Sequence, residues 1–264
     1  MTTHDDMGTP VRLPGQVARV VSLVPSLTES VARTRPDLLV GATDWCTHTA
    51  GLEPTRVRGT KNPDRQAILD LRPDLVLANK EENRELDVRR LREAGVAVWV
   101  TVTEDVPQAV ASLERLFTVA LGWEIPGWLA SARELWCGPL PEPVATVAVP
   151  VWRDPWMVVG SSTFTGDLLA RAGLHNVFGT SSDRYPHVDL DDLDREDVSA
   201  VLLPDEPYAF APEDGPEAFS RARTALVSGR LLTWYGPSLV DAHPYLSDLA
   251  GGFAPDQADR ADRL

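Results

Sequence analysis

Short apolar strands alternate with amphipathic helices along most of this chain, and that alternation restricts the fold more than any other feature of the sequence. Strands are predicted at residues 19–25, 38–43, 74–78 and 96–102, with helical patterns between them. Apolar runs this short and rich in β-branched residues are typical of strands in a parallel sheet, which is covered on both faces. Residues 18–103 are therefore predicted to form an amino-terminal α/β lobe with a parallel sheet.

The same alternation restarts in the second half of the chain. Strands are predicted at residues 144–149, 200–204 and 231–234, and helices at residues 166–172 and 216–227. Residues 124–252 are accordingly predicted to form a second α/β lobe. The polar ends of the chain, residues 1–17 and 253–264, are predicted to be flexible tails.

A long amphipathic helix is predicted between the lobes, at residues 104–123. Val106, Val110, Leu113 and Phe117 recur at the spacing of one helical face. At about 1.5 Å per residue, this helix would span roughly 30 Å. We expect a rigid backbone helix that joins the two lobes. An ordinary crossover helix within one sheet is the alternative interpretation of the same pattern.

The charge of the chain restricts its partners. The formal net charge is −14, which argues against nucleic acid and against anionic membrane surfaces. No apolar run is long enough for a membrane span. Residues 1–15 are polar and acidic where an export signal would begin with basic residues, so a cytoplasmic location is expected. In that reducing compartment, Cys46 and Cys137 are expected to be free thiols, a disulfide between them being the alternative.

No catalytic motif is found, and a non-enzymatic protein is expected. Residues 160–166 are rich in hydroxyl groups but lack the spacing of a hydrolase elbow, and we interpret them as a turn whose threonine caps the next helix. Cys46, His48 and His187 form a possible metal set if the loops that carry them meet, since a thiolate and imidazoles suit zinc.

Aromatic residues give a stronger indication of a binding site. Several lie in loops that follow predicted strands, and open α/β sheets bind ligands at the carboxyl ends of their strands. These candidate ligand-binding residues are Trp45, Trp152, Tyr185, Tyr208, Trp234 and Tyr235. Large flat side chains in such loops suit a large, partly apolar ligand. Hydrophobic plugs between helices and sheet are the alternative interpretation.

Three segments resemble a known family. They read RVVSLVPSLTE at residues 19–29, VGATD at residues 40–44 and LRPDLVLA at residues 71–78. In this order they resemble the vitamin B12 and iron-siderophore binding proteins of ABC importers, the class III periplasmic binding proteins. The resemblance implies two α/β lobes joined by one rigid helix, with a ligand cleft between the lobes.

Carried over by position, the resemblance implies that Trp45 and Tyr185 line the ligand cleft and that Trp234 and Tyr235 complete its wall. The chain departs from the B12 receptors at Thr60, where they carry an aromatic residue, and at Thr233, where they carry an acidic one. A cobalamin-like ligand, heme and an iron siderophore therefore all stay open.

The family docks on its permease through an acidic residue of each lobe. Asp191 matches the second-lobe position, whereas the first-lobe position falls on Gln66, with Asp64 two residues away. This departure weakens the expectation of permease docking. Together with the absent export signal, it suggests a cytoplasmic relative that keeps the ligand cleft.

The leading hypothesis is a monomeric binding protein without chemistry of its own, which holds a cobalamin-like or other metal chelate. A metal-handling protein or enzyme that uses Cys46, His48 and His187 is the second hypothesis. The third is a sensory module whose acidic face at residues 189–197 docks a partner when ligand is bound.

Overall fold

The structure, a computed structural model, describes residues 2–49 and 51–253. The chain divides into two compact units by its internal contacts. The first comprises Met1–Thr103, Pro107–Arg133 and Tyr235–Pro237, and the second comprises Glu104–Val106, Glu134–Trp234 and Ser238–Leu264.

Up to residue 136 the predicted strands and helices are present, together with short strands that were not predicted. The strands are β1 (Thr2–His4), β2 (Pro10–Arg12), β3 (Val20–Ser22), β4 (Leu39–Ala42), β5 (Thr55–Arg56), β6 (Arg58–Gly59), β7 (Asn62–Pro63), β8 (Leu75–Asn79) and β9 (Val98–Thr101). The helices are α1 (Pro25–Thr34), α2 (Arg65–Asp70), α3 (Glu85–Glu93), α4 (Val106–Arg115) and α5 (Gly127–Trp136), with a π-helical segment at Leu116–Leu121.

The first unit is built on a five-stranded sheet in the order β5-β4-β3-β8-β9. All of its neighbouring strands are parallel, and Val21 lies opposite Val76 in the register of β3 and β8. Every residue of β3, β8 and β9 is buried, as expected of a sheet covered on both faces. The predicted parallel α/β lobe is confirmed, and its strands all end at one edge of the sheet.

The amino terminus differs from the predicted flexible tail. Within residues 1–17, β1 and β2 form an antiparallel hairpin. Asp5 is buried, and its carboxylate lies 2.6 Å from Nη2 of Arg92, 87 positions further along the chain. The amide of Asp6 donates to the carbonyl of Val100 in the edge strand β9. The tail prediction is wrong for this segment because the groups that hold it are distant in sequence.

The predicted connecting helix, residues 104–123, is present with different bounds and geometry. It begins at Val106 and changes from α-helical to π-helical geometry after Arg115. It ends before Gly122, whose φ of 69° is left-handed. The buried residues of the π-helical segment are Leu116, Phe117, Ala120 and Leu121. The predicted helix is therefore present from Val106 to Leu121, and its second part has π-helical geometry.

The second unit repeats the architecture with a smaller sheet. Its strands are β10 (Ala145–Ala148), β11 (Pro150–Trp152), β12 (Met157–Val158), β13 (Leu174–Asn176), β14 (Ala200–Pro204) and β15 (Thr224–Val227). Its further helices are α6 (Phe164–Arg171), α7 (Leu190–Leu193), α8 (Gly229–Thr233) and α9 (Ser238–Phe253). The sheet order is β13-β10-β14-β15, and all of its pairs are parallel. As predicted, a threonine, Thr163, caps α6 by accepting a hydrogen bond from the amide of Gly166.

The region between residues 216 and 234 differs from its prediction. The helix predicted at residues 216–227 is a short 3₁₀ turn, Pro216–Ala218, followed by the strand β15. The strand predicted at residues 231–234 falls largely within α8, which Ser228 caps. Pairing with β14 makes residues 224–227 a strand, and such a distant partner is not visible in the local sequence pattern.

No helix within residues 2–49 and 51–253 is both long and apolar enough to cross a bilayer. Of the predicted carboxyl-terminal tail, residues 253–264, Phe253 ends α9, and residues 254–264 lie outside the described residues.

Candidate functional site

Two of the predicted aromatic residues meet at the carboxyl edge of the second sheet. Trp152 lies in the hairpin that follows β10, and Tyr208 lies in the loop that follows β14. Because β10 and β14 are adjacent and parallel, these segments leave the sheet at the same edge. The two ring centroids are 5.5 Å apart with an interplanar angle of 81°, an edge-to-face contact. Trp152 keeps 47% of its surface exposed.

A polar network holds this aromatic pair in place. The hydroxyl of Tyr208 donates to Oδ2 of Asp214 at 2.6 Å. Arg153 donates through Nη1 to Asp214 and, at 2.7 Å, to Oε1 of Glu217. The hydrogen bond to Asp214 raises the pKa of Tyr208, so the phenol stays protonated at neutral pH. The hydrogen bond from Arg153 lowers the pKa of Glu217.

A layer of buried aromatic rings lies beneath this pair, of which Trp152 is exposed and Tyr208 half-buried. Trp156 is stacked on Phe210 with a centroid distance of 6.0 Å and an interplanar angle of 5°. The guanidinium of Arg153 lies 5.3 Å from the Trp156 ring centroid, a cation–π contact. Phe210 also contacts Tyr208, at a centroid distance of 4.6 Å. Tyr208, which contacts Trp152, therefore also packs against buried aromatic rings.

Tyr185 and His187 lie in a segment that runs beside β12. The amide of Val158 donates to the carbonyl of Pro186, and the amide of Val188 donates to the carbonyl of Trp156. Tyr185 is 40% exposed. This pairing attaches Tyr185 to the hairpin that carries Trp152.

Trp234, also in the second unit, is buried. It donates a hydrogen bond to Glu206, the second residue after β14. Burial raises the pKa of Glu206, with smaller opposing effects from Trp234 and Arg230. Burial leaves little of the Trp234 ring for a ligand.

In the first unit, Trp45 follows β4 and is 67% exposed. The adjacent Cys46 is fully buried, and its sulfur accepts a hydrogen bond from Thr28 at 3.0 Å. Burial raises the pKa of the Cys46 thiol, although the hydroxyls of Thr28 and Thr43 oppose this effect. Cys46 and Cys137 are both free thiols. Trp45 is thus an exposed ring in a loop fixed by its buried neighbour.

Tyr235 is buried in the first unit, and its hydroxyl donates to Oε1 of Glu82 at 2.9 Å. Burial and the charge of Glu82 together raise the pKa of Tyr235 well above its ordinary value. Asn79, the last residue of β8, joins the same edge by donating to Thr101 and Thr103. The carboxyl edge of the first sheet is therefore closed by an internal polar network.

The proposed metal set is not assembled. Within residues 2–49 and 51–253, no group of three or more His, Cys, Asp or Glu side chains could hold a metal ion. Cys46 is buried among hydroxyl groups, whereas His48 and His187 are exposed. The prediction of a metal site at Cys46, His48 and His187 is not supported within the first unit, because the Cys46 thiol is buried whereas the His48 ring near it in sequence is exposed.

The residues matched to permease docking and to the B12 receptors have local roles. Asp191 is exposed and pairs with Arg221 at 2.9 Å, while Asp64 caps α2 by accepting from the amide of Ala67. Thr233 donates to the carbonyl of Gly229 within α8, and Thr60 lies after β6, where its carbonyl accepts from Asn83. The expectation that permease docking is weakened stays a prediction.

The most informative site residues that sequence reasoning missed are Arg153, Asp214, Glu217 and Glu82. Arg153 directly follows Trp152, and Asp214 and Glu217 belong to an acidic loop after β14. An acidic loop near an aromatic residue is the sequence signal that could have indicated Asp214 and Glu217. Nothing in the sequence indicates that one arginine joins it to the hairpin after β10.

A cavity of about 610 Å³ lies elsewhere in the first unit, near the start of β8 and β9. Its lining includes Pro10, Arg12, Pro73, Arg92 and Val98. It is at the opposite end of these strands from the carboxyl edge, where open α/β sheets bind ligands.

Comparison with solved structures gives close architectural matches. The periplasmic vitamin B12 binding protein BtuF of Vibrio cholerae matches with a TM-score of 0.70 and 18% identity, over 91% of this chain and 99% of that one. A periplasmic heme-binding protein from Pseudomonas aeruginosa matches with a TM-score of 0.71 and 23% identity, over 91% and 94% of the two chains. The molybdate-binding protein MolA of Haemophilus influenzae matches with a TM-score of 0.73 and 14% identity, over 96% and 91%.

The chain has the class III periplasmic-binding-protein fold. The fold expected from the three sequence segments is thereby confirmed. No protein-family profile matches the chain, and no curated protein matches it by sequence. At these identities the class III fold is shared, and the ligand must be argued from the residues of this chain. The predicted position of a ligand between the lobes stays a prediction.

Proposed function

We propose that this chain is a non-catalytic binding protein for a metal chelate, such as a cobalamin-like compound, a heme or an iron siderophore. The observation that carries the proposal is the exposed Trp152 ring held edge-on against Tyr208 at the carboxyl edge of the second sheet. A hydrogen bond to Asp214 and a ring contact with the buried Phe210 hold Tyr208 in position.

The exposure of these rings is the physical argument for a ligand. Three aromatic side chains are exposed: Trp45 after β4, Trp152 at the end of β11, and Tyr185 in the segment beside β12. Burying apolar surface is favourable by about 25 cal/mol per Å², so exposed and immobilised aromatic surface is suited to covering a large ligand. The solved structures with the same fold include proteins described as binding vitamin B12 and heme.

Chelates differ from small polar solutes in presenting broad apolar faces, which aromatic side chains cover well. The ligand role assigned here needs only contact and orientation, which rings and neighbouring polar groups provide. We therefore assign no catalytic step to the chain. Trp234 and Tyr235 are buried, and they act in this proposal as supports of the two sheet edges.

Calorimetric titration of the purified protein with cyanocobalamin, iron protoporphyrin and a ferric hydroxamate siderophore tests the proposal. We expect saturable one-to-one binding of at least one of these probes. Trp152→Ala and Trp45→Ala should each weaken it by about tenfold, the loss of roughly 1.4 kcal/mol. Leu140→Ala, which removes a 57% exposed side chain before β10, is the control and should bind normally. The absence of binding to every probe would overturn the proposal.

We further propose that the protein works in the cytoplasm. The free thiols of Cys46 and Cys137 support this location, since reduced cysteines are usual in that compartment. Fractionation of cells that express the native gene tests it, and recovery of the protein from the cell exterior would contradict it.

A further inference from the structure

The aromatic pair of the second unit is surrounded by carboxylates that outnumber their cations. Arg153 is the guanidinium of this cluster, and its side chain is only 17% exposed. It lies within 4.0 Å of carboxylate oxygens of Asp154, Asp214 and Glu217. These three carboxylates share one guanidinium, so the cluster carries excess negative charge.

The carboxylates face solvent, where a ligand would meet them. The side chain of Asp154 is 83% exposed, and those of Asp214 and Glu217 are 45% and 50% exposed. Asp154 stands two residues from Trp152, and Asp214 binds the hydroxyl of Tyr208. The negative charge is therefore located at the rim of the exposed rings.

Neighbouring segments add charge of the same sign. The exposed Asp205 directly follows β14, and the exposed Glu213 precedes Asp214. Two arginines in segments that follow strands of this unit each lie near a carboxylate. Arg184 lies 3.5 Å from Glu104, and Arg230 lies 3.5 Å from Asp241.

We propose, building on the proposed binding function, that the ligand is a neutral or cationic metal chelate and that the site discriminates against anionic chelates. A ligand carboxylate placed near Trp152 would be repelled by Asp154, Asp214 and Glu217. It would find Arg153 already occupied by those carboxylates. A neutral amide or a cation meets no such repulsion, and complementary charge is a main source of binding specificity.

Tyr208 supports the same conclusion. A tyrosine binds ferric iron through its oxygen as a phenolate, but the hydroxyl of Tyr208 donates its proton to Asp214 at 2.6 Å. The carboxylate also opposes the formation of a second negative charge beside it. Tyr208 therefore contributes a neutral aromatic face to the ligand.

Matched ligands separate charge from shape. The first pair is cyanocobalamin and a derivative in which side-chain amides are hydrolysed to carboxylates. The second pair is iron protoporphyrin and its dimethyl ester. We expect the member without free carboxylates to bind more tightly in each pair that binds. The difference should be about fivefold or more, as expected for one repulsive contact at about 4 Å in water.

Variants identify the source of the discrimination. Asp154→Asn combined with Glu217→Gln should narrow the difference within a pair by about fivefold, with circular dichroism verifying the fold. The matched control, Asp192→Asn combined with Glu196→Gln, removes the same charge from exposed positions before β14 and should leave the difference unchanged.

The outcomes distinguish the two proposals. Equal or tighter binding of the carboxylate member by the wild-type protein would overturn the charge proposal while the binding function stands. An equal effect of the control variant would assign the discrimination to net charge and overturn the role of the cluster. Failure of every probe to bind would overturn the binding function itself.

Discussion

The hydroxyl of Tyr208 lies 2.6 Å from Oδ2 of Asp214, six positions further along the chain. This hydrogen bond joins the exposed aromatic surface of the second unit to its acidic rim. Arg153 binds the same carboxylate from the hairpin after β10. One short loop contact therefore determines both the orientation of the tyrosine ring and the charge around it.

Replacement of Asp214 by Asn should lower the pKa of Tyr208 toward its ordinary value of 10.0. The carboxylate stabilises the protonated phenol, so its removal lets the proton leave at lower pH. Near-ultraviolet absorbance during alkaline titration measures this shift. Tyr208→Phe should delete the same titration step, and an unchanged curve in Asp214→Asn would contradict the assignment.

Asp194 anchors the segment before β15 by accepting hydrogen bonds from the amides of Ser220, Arg221 and Ala222. Burial alone would raise the pKa of Asp194, but these amides outweigh it and hold the pKa well below its ordinary value of 3.8. Asp194→Asn should lower the free energy of unfolding at neutral pH by about 2 kcal/mol. Chemical denaturation measures the loss.

The contribution of Asp194 also has a defined pH dependence. Because the unfolded chain binds the proton more tightly than the folded protein, the contribution is complete above pH 3.8 and is lost as the pH falls below it. The stability difference between wild type and Asp194→Asn should shrink under acid. A difference that grows with acid would show that the carboxylate is not the stabilising group.

The amino-terminal hairpin should contribute to the stability of the first unit. Asp5→Ala removes a carboxylate that is 3% exposed and lies 2.6 Å from Arg92. Breaking such a pair should cost about 3 kcal/mol, visible as a lower midpoint in urea. Met7→Ala, at a position that is 51% exposed in the same hairpin, should have little effect. Equal stability of Asp5→Ala and wild type would show that this pair does not stabilise the first unit.

Tyr235→Phe should lower the free energy of unfolding by about 1 kcal/mol, because the buried hydroxyl loses its hydrogen bond to Glu82. A double-mutant cycle with Glu82→Ala, which removes the acceptor, isolates this contact from the others that both residues make. A coupling energy of zero would show that the hydrogen bond does not stabilise the carboxyl edge of the first sheet.

The two cysteines should differ in reactivity. The Cys46 thiol is fully buried and its pKa is raised by burial, whereas Cys137 is half-buried. Since the thiolate is the reactive form, a thiol reagent should modify Cys137 quickly and Cys46 only after unfolding. Cys137→Ser should abolish the fast phase. Two fast phases in the native wild type would contradict the burial of Cys46.

Local patterns were sufficient for the parallel sheets. The runs around Val21 and Val76 are apolar and β-branched, and each is bounded by helix or turn signals, so both became strands as predicted. The local patterns predicted the wrong elements at residues 216–234, where the sequence is compatible with either helix or strand. Pairing with β14 made Thr224–Val227 a strand.

The candidate site, like the fold, could be predicted from the sequence only in part. The aromatic residues could be selected from the sequence because loops after parallel strands share one edge of a sheet, a rule that needs only the order of the elements. The sequence could not predict that Trp152 is exposed and that Trp234 and Tyr235 are buried, since burial depends on what packs against each ring.

By itself, the sequence determined the α/β class of both units, because strand and helix periodicity are properties of neighbouring residues. Only the tertiary structure decided that Arg153 meets Asp214 and Glu217, that Asp5 meets Arg92, and that Cys46 is buried among hydroxyl groups. These contacts join residues up to 87 positions apart. Their existence depends on how the chain folds back on itself, which no local pattern encodes.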